Sequence, residues 1–226
     1  MRIVPTTGIS KEFQRLSIDK AIRASQRCQR NWDLTQVINE DDVKVLETAV
    51  TQCASKQNDV YYKVKFITDR DTIESIHEQT KGFTMEADDG EIVNMSNSQT
   101  LANLLVVFCE DYDENYARSE ELKKYFARGE NIEELRYSTR ETLERNRYCA
   151  VGVAAGYLNL TANMLGYRTG CCQCYNADGV NEILNGDKAV LLMGIGYPDR
   201  SRSRLEHHVE GRRFPSLNKA IKVDYI

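Results

Sequence analysis

No stretch of the 226-residue chain approaches the ~20 consecutive apolar residues that a membrane span needs, and no charged-then-apolar leader opens it. The expectation is therefore a soluble, cytoplasmic protein with no membrane partner. No glycine-rich turn carries Lys-Ser or Lys-Thr, and no Gly-x-Gly-x-x-Gly occurs, so the phosphate-loop and dinucleotide fingerprints are both missing. Histidine is scarce, three in all, and none belongs to a recognisable local dyad, which weighs against a catalytic thiol or hydroxyl. An excess of positive charge is also lacking. The formal charge of −4 argues against a chain built to neutralise a nucleic acid, although a local basic patch can persist inside an acidic whole. Repeats and low-complexity linkers are absent, and 41% hydrophobic content over this length is enough for one domain over 1–226. Seven cysteines, an odd number without the spacing of a disulfide scaffold, fit a reducing compartment.

What the chain does have is a long apolar helix running into a cysteine-rich turn, Arg147 to Tyr175. Ala150, Val153, Ala154, Tyr157, Leu158, Leu160, Thr161, Met164 and Leu165 recur at steps of three and four, which predicts a core helix over 148–165. Ala150, Gly152, Ala154, Ala155 and Gly156 leave part of it nearly without side-chain volume, so another backbone or a flat ligand can come close. Leu165-Gly166 suits a left-handed C-cap, and Cys171-Cys172-Gln173-Cys174 follows.

Before that helix, residues 11–26 read as a first helix with Phe13, Leu16, Ala21 and Ile22 as its buried stripe. Asn39 is placed to cap a second, with Glu40, Asp41 and Asp42 in its first turn and Val43, Leu46, Val50 and Cys53 along one face. Val60, Tyr62, Val64 and Phe66 alternate as in a strand; 69–80 reads as a surface helix, 81–99 as a loop and 101–109 as a strand buried on both faces. The charged stretch 111–145 reads as a solvated helical insert or lid. Later come a short helix over 180–184, a strand over 188–194, an arginine-rich stretch to Arg213 and a C-terminal arm over 216–226. Helices interleaved with three or four strands place the fold in the α/β or α+β class.

Cys171, Cys172 and Cys174 with His207 and His208 are soft ligands, yet zinc sites use spaced cysteine pairs and adjacent cysteines chelate poorly. No metal is expected, and the cysteines read as small buried apolar residues. Arg212-Arg213 after a buried strand suits a phosphate monoester.

Four stretches, in order, resemble the nitroreductase family. That family ends its first helix in Arg-Arg-Ser-x-Arg-x-Phe, and Gln26-Arg27-Cys28-Gln29-Arg30-Asn31-Trp32 fills the same frame with glutamine for the first arginine and cysteine for serine. Its second helix ends in Pro-Ser-x-x-Asn-x-Gln-Pro-Trp; Ser55, Asn58 and Tyr62 match, and the Gln-Pro pair is absent. The small-residue helix with Leu165-Gly166, and the closing strand with Gly196-Tyr197-Pro198, are similar as well, and Arg213 before Phe214-Pro215 resembles a late phosphate-binding arginine.

The resemblance implies an α+β, three-layer fold, a mostly antiparallel sheet flanked by helices, in an intertwined homodimer that binds FMN between its subunits. It implies an oxidoreductase in which NAD(P)H reduces the flavin and a nitroaromatic, quinone or other conjugated acceptor reoxidises it. Cofactor-binding candidates are Gln26, Arg27, Cys28, Arg30, Ser55, Lys56, Asn58, Asn97, Cys171, Cys172, Gln173, Cys174, Arg212 and Arg213. Arg27, Arg212 and Arg213 would meet the phosphate, Arg30 and Asn97 the pyrimidine edge, and the turn 171–174 the ring near N5. No protein side chain need react, because the cofactor carries the chemistry. Two other readings stay open: a flavin-binding or regulatory module without turnover, and a zinc-binding interaction protein.

Overall fold

In a computed structural model that describes residues 10–80, 83–86, 90–111, 140–209, 211–214 and 220–225, the strands of the main sheet use both of their faces. The sheet has the order β1 (Tyr62–Ile67), β4 (Leu104–Glu110), β6 (Ala189–Gly196), β5 (Arg168–Cys172), and every pairing in it is antiparallel. Leu104, Val106 and Phe108 of β4, with Leu191, Met193 and Ile195 of β6, join one core with α2 (Glu40–Thr51) and α4 (Arg140–Met164). Leu105, Val107 and Cys109, with Leu192, join a second core with α3 (Arg70–Glu78) and α5 (Ala177–Ile183). An unbroken apolar run is what a strand covered on both sides requires. The result is the helix–sheet–helix arrangement expected of an α+β fold.

Local chemistry sets the helix ends. Asn39 accepts from the Asp41 N–H at 2.8 Å and Asp69 from the Thr72 N–H at 2.9 Å, each satisfying a donor that the first turn leaves open. Helix α4 ends where Gly166 takes φ of +97°, a conformation that costs an L side chain energy. Ala150, Val151, Ala154, Ala155, Leu158 and Ala162 of α4 are buried against the sheet. Their small size lets helix and strands approach closely.

Three expectations change. The stretch 81–99 contains a hairpin, β2 (Phe83–Glu86) with β3 (Ile92–Met95), and a buried 3-10 turn, Ser98–Leu101. Its Gly, Asp and Asn residues mask a short two-strand ladder whose register comes from pairing rather than from any apolar run. Helix α1 (Lys11–Ser25) buries only Ala21; Phe13, Leu16 and Ile22 are 60%, 65% and 52% exposed, because α1 leans on α4 along one narrow line. Val153, Tyr157 and Met164 of α4 face outward too, and Gly152 and Gly156 have nothing within 4 Å of where a Cβ would stand. The suggested insert lies outside the described residues except for Asp111 and the start of α4, and of the C-terminal arm only 220–225 are described, with Ile221, Val223 and Tyr225 exposed. Among the described residues no helix is long and apolar enough to cross a membrane.

Candidate functional site

Four segments meet beside the edge strand β5. The first leaves α1 at Gln26 and runs along the sheet, with the Gln29 N–H donating to the Thr169 carbonyl at 2.8 Å and the Asp33 N–H to the Tyr197 carbonyl at 2.9 Å. Trp32 fixes it. Its ring is 2% exposed, packs on Leu101 and Ala102, and donates from the indole N–H to the Ser98 carbonyl at 3.0 Å. The second segment is 96–101, the third 170–174 and the fourth 203–214.

Amide side chains join these walls. Arg30 donates to Gln99 Oε1 at 3.0 Å, and Gln99 Nε2 donates to Asn97 Oδ1 at 3.1 Å and to the Cys171 carbonyl at 3.2 Å. Asn97 gives its Nδ2 protons to the Thr80 and Cys174 carbonyls, both at 3.0 Å. Both of its amide protons are therefore spent on protein, and Asn97 tethers the turn after β5 instead of offering a donor outward. Gln99 fits so closely that a Cβ on Gly170 would lie 2.5 Å from its Cβ, so only glycine is accommodated there.

Positive charge gathers on the same rim. The Arg30 guanidinium lies 3.7 Å from the centroid of the Phe214 ring, whose other partner is the stacked His207 ring. Arg30 Nε is buried without a hydrogen-bond partner. Burial pushes the Cys28 thiol pKa up, while nearby Arg30 and Arg204 pull it down, which puts both guanidinium groups close to that sulfur. Arg213 is exposed and donates to Ser203 Oγ at 3.2 Å, and Arg27 is exposed, its backbone N–H donating to the Ala24 carbonyl at 3.1 Å. Arg212 turns instead to Glu91 in a 3.0 Å ion pair. Arg202 binds Glu206 and the His207 and His208 carbonyls, so it shapes the loop.

His207 is fully buried, with Nδ1 accepting from the Val209 N–H at 3.2 Å and Nε2 3.1 Å from the Ser96 carbonyl. Those partners assign it a neutral ring protonated on Nε2. Burial, then Arg202, lowers the His208 pKa, so it is neutral at pH 7. Among the described residues no group of three or more His, Cys, Asp and Glu is arranged to hold a metal ion.

The structure thus brings together 26–30, 97 and 171–174 with Arg213. It does not bring Ser55, Lys56 and Asn58 to them. Ser55 precedes, and Lys56 and Asn58 lie in, a 3-10 turn beside β1, at the opposite edge of the sheet, three inter-strand steps or about 14 Å away. There Ser55 Oγ donates to the Asp59 carbonyl at 2.6 Å, and Ser55 and Asn58 line a cleft of about 420 Å³ with Val50, Tyr62 and Phe66. Gln99, Ser203, Arg204 and Phe214 are site residues that sequence reasoning passed over. Arg204 stood in the arginine-rich stretch, whereas nothing local distinguishes Gln99 or Ser203.

No protein-family model matches the chain, and neither does any curated protein sequence. Solved structures do match. A candidate nitroreductase from Exiguobacterium sibiricum, in complex with FMN, has TM-score 0.61 and 14% identity over 90% of this chain and 93% of its own. Nitroreductase A from Vibrio parahaemolyticus has TM-score 0.58 and 18% identity over 89% and 78%. The NADPH:FMN oxidoreductase of Vibrio harveyi, complexed with NAD+, has TM-score 0.58 and 16% identity over 92% and 80%. At such identities the likeness speaks for the arrangement of the backbone, which agrees with the order of elements and the two-faced sheet described above: the chain has the nitroreductase fold.

Proposed function

We propose that the chain is an FMN-dependent oxidoreductase in which NAD(P)H reduces the flavin and a nitroaromatic, quinone or similar conjugated acceptor reoxidises it, in a ping-pong sequence. The observation that carries this reading is the gathering of cations on the rim of β5, Arg30 and Arg204 close to Cys28 and Arg213 on the neighbouring Ser203, including a buried Arg30 Nε–H with no partner. Such a donor set fits a flavin phosphate and an electron-rich ring edge. Proteins of the same fold are described as FMN-bound or as NADPH:FMN oxidoreductases.

FMN would supply the hydride and electron chemistry. Arg213, Arg27 and Arg204 would hold its phosphate, while Arg212 stays with Glu91. Arg30, fixed by Phe214 and Gln99, would keep a positive charge beside the ring, favouring the reduced, anionic state. Gln173 and Cys174, held by the Asn97 bond to the Cys174 carbonyl, would present backbone N–H groups to it.

The working unit in this proposal is a homodimer, in which Ser55, Lys56 and Asn58 serve the partner's flavin. Two observations support it. These residues stand apart from their own chain's cationic rim, and apolar Phe13, Leu16, Ile22, Val153 and Tyr157 are exposed on neighbouring helices. Seven free cysteines are consistent with a cytoplasmic setting.

The purified protein should be yellow, bleach on anaerobic addition of NADPH and sediment as a dimer. A colourless preparation that takes up no FMN would overturn the flavin reading, and a monomer near 25.9 kDa that retains one FMN would overturn the shared site. Arg213→Ala removes a charge-assisted contact worth roughly 1.5–3 kcal/mol and should weaken FMN binding about tenfold to a hundredfold, with the thermal midpoint of the FMN-free protein unchanged. Unchanged affinity in Arg213→Ala, alongside loss in Arg204→Ala, would shift the phosphate assignment to Arg204.

A further inference from the structure

The segment that carries Gln26, Arg27 and Cys28 is tied at both ends to one polar knot between α4 and β5. Helix α1 buries only Ala21, so apolar packing does little to fix where that helix stops. A side chain fixes it instead. Asn159 Nδ2 donates to the carbonyl of Ser25, the last residue of α1, at 2.9 Å, and so satisfies an acceptor that a helix C-terminus leaves open. At the other end of the segment the Gln29 N–H donates to the Thr169 carbonyl at 2.8 Å. The two anchors are joined to each other, because Thr169 Oγ1 donates to Asn159 Oδ1 at 2.5 Å. Asn163, one turn further along α4, donates to the same oxygen at 3.1 Å and to the Asn159 carbonyl at 2.9 Å.

These partners dictate which way the Asn159 amide faces. Turned over, it would set its oxygen against the Ser25 carbonyl and its NH2 against the NH2 of Asn163. Thr169 and Asn163 are buried, so their bonds are made away from water. Gly170 brings the segment closer still: a Cβ there would lie 2.7 Å from the Gln29 carbonyl oxygen and 3.2 Å from the Cys28 sulfur, which places residues 28 and 29 hard against β5. Between the anchors only a short link remains, and Arg27 stands on it with an exposed side chain. Arg30 lies beyond the second anchor and has ties of its own to Gln99 and Phe214.

We propose that Asn159, supported by Thr169, is a positioning residue that presets the segment 26–28 for a flavin phosphate and so lets the site distinguish FMN from riboflavin. This rests on the flavin reading and deepens it, since it names what makes the phosphate contact selective. Neither Asn159 nor Thr169 touches the cofactor; both act through Arg27, a member of the proposed phosphate set. An arginine on a segment that is ordered before the ligand arrives loses less freedom on binding than one on a free loop. The gain falls on the phosphate alone, because the cation assigned to the ring, Arg30, is held independently of Asn159.

The test compares the binding of FMN with that of riboflavin, which has the same ring and no phosphate. Asn159→Leu keeps a branched side chain and removes its hydrogen bonds, while Thr169→Val removes the hydroxyl and leaves the carbonyl that holds Gln29. In both variants the ratio of FMN affinity to riboflavin affinity should fall about tenfold, the lower end of what one charge-assisted contact contributes, with riboflavin affinity unchanged. Thr169→Ser retains the hydroxyl and should retain the ratio. A second readout needs no flavin: by NMR, the Gln29 amide should exchange its hydrogen slowly in the unsubstituted flavin-free chain and faster in Asn159→Leu and Thr169→Val. Equal losses for FMN and riboflavin would mark plain destabilisation and overturn the proposal, as would an unchanged ratio or unchanged exchange at Gln29. Should Asn159→Leu not fold, Thr169→Val against Thr169→Ser carries the same comparison. An unsubstituted chain that binds neither flavin overturns the proposed function and this selectivity with it, while the exchange result still decides whether the knot anchors the segment.

Discussion

Trp32→Ala should lower stability by about 3–5 kcal/mol, the usual cost of deleting a buried large aromatic side chain, and should loosen the cationic rim with it. The ring is 2% exposed, fills the space beside Leu101 and Ala102, and holds the Ser98 carbonyl. Ser98 Oγ in turn donates to the Arg30 carbonyl at 2.8 Å, so one cavity disturbs two walls of the site together. Chemical denaturation of the FMN-free protein measures the first effect. FMN titration below the unfolding transition measures the second, where a loss larger than that of Arg213→Ala is expected. A stability loss under 1 kcal/mol would show that Trp32 does not anchor the segment.

Gly194→Ala should be worse than its single methyl suggests. The added Cβ would lie 2.0 Å from the Gln99 carbonyl oxygen and 2.9 Å from the Ala102 Cβ, and a backbone carbonyl in a buried turn cannot swing aside. Overpacking of this kind costs about 1–3 kcal/mol, occasionally more. The displaced residue is Gln99, which joins Arg30 to the Cys171 carbonyl, so the rim should open as well. Thermal unfolding and FMN affinity should fall together. Gly152→Ala, on a helix face with nothing within 4 Å, is the matched control and should leave the thermal midpoint no lower. Equal behaviour of the two variants would contradict the packing described here.

How much of this was legible depended on the range of the interaction concerned. Helix α2 was readable because its cap, first-turn acids and apolar steps all lie within a few residues, and β4 because a strand covered on both faces needs an unbroken apolar run. The same logic failed for α1, where an apolar stripe was read as buried although Phe13 and Leu16 face outward. Periodicity reports that a face is apolar and not what covers it. The β2–β3 hairpin escaped because four-residue strands carry too little pattern to stand out from the polar residues around them. In the site, the arginines were visible through charge and resemblance. The residues that aim them were not, since Gln99 reaches Arg30 and the Cys171 carbonyl 69 and 72 positions away and Phe214 meets Arg30 from the far end of the chain. Asn97 was noticed for its amide and placed in an outward role, whereas two backbone carbonyls occupy it.

The wide separation along the chain of the segments that build the rim governs when the site can exist during synthesis. Asn31, 172 positions before Ser203, donates to the Ser203 carbonyl, and Arg30 waits for Phe214 to complete its stacking partner. While the ribosome is still adding the last strand, α1 and the segment after it are already outside the exit tunnel, with an exposed basic run and no fourth wall. Closing loops of that length is slow compared with forming a helix, and it requires residues 203–214 to have emerged. In the proposed reading, flavin capture would therefore follow the emergence of residues 203–214, and a nascent chain stalled before residue 203 would lack the wall that completes the rim.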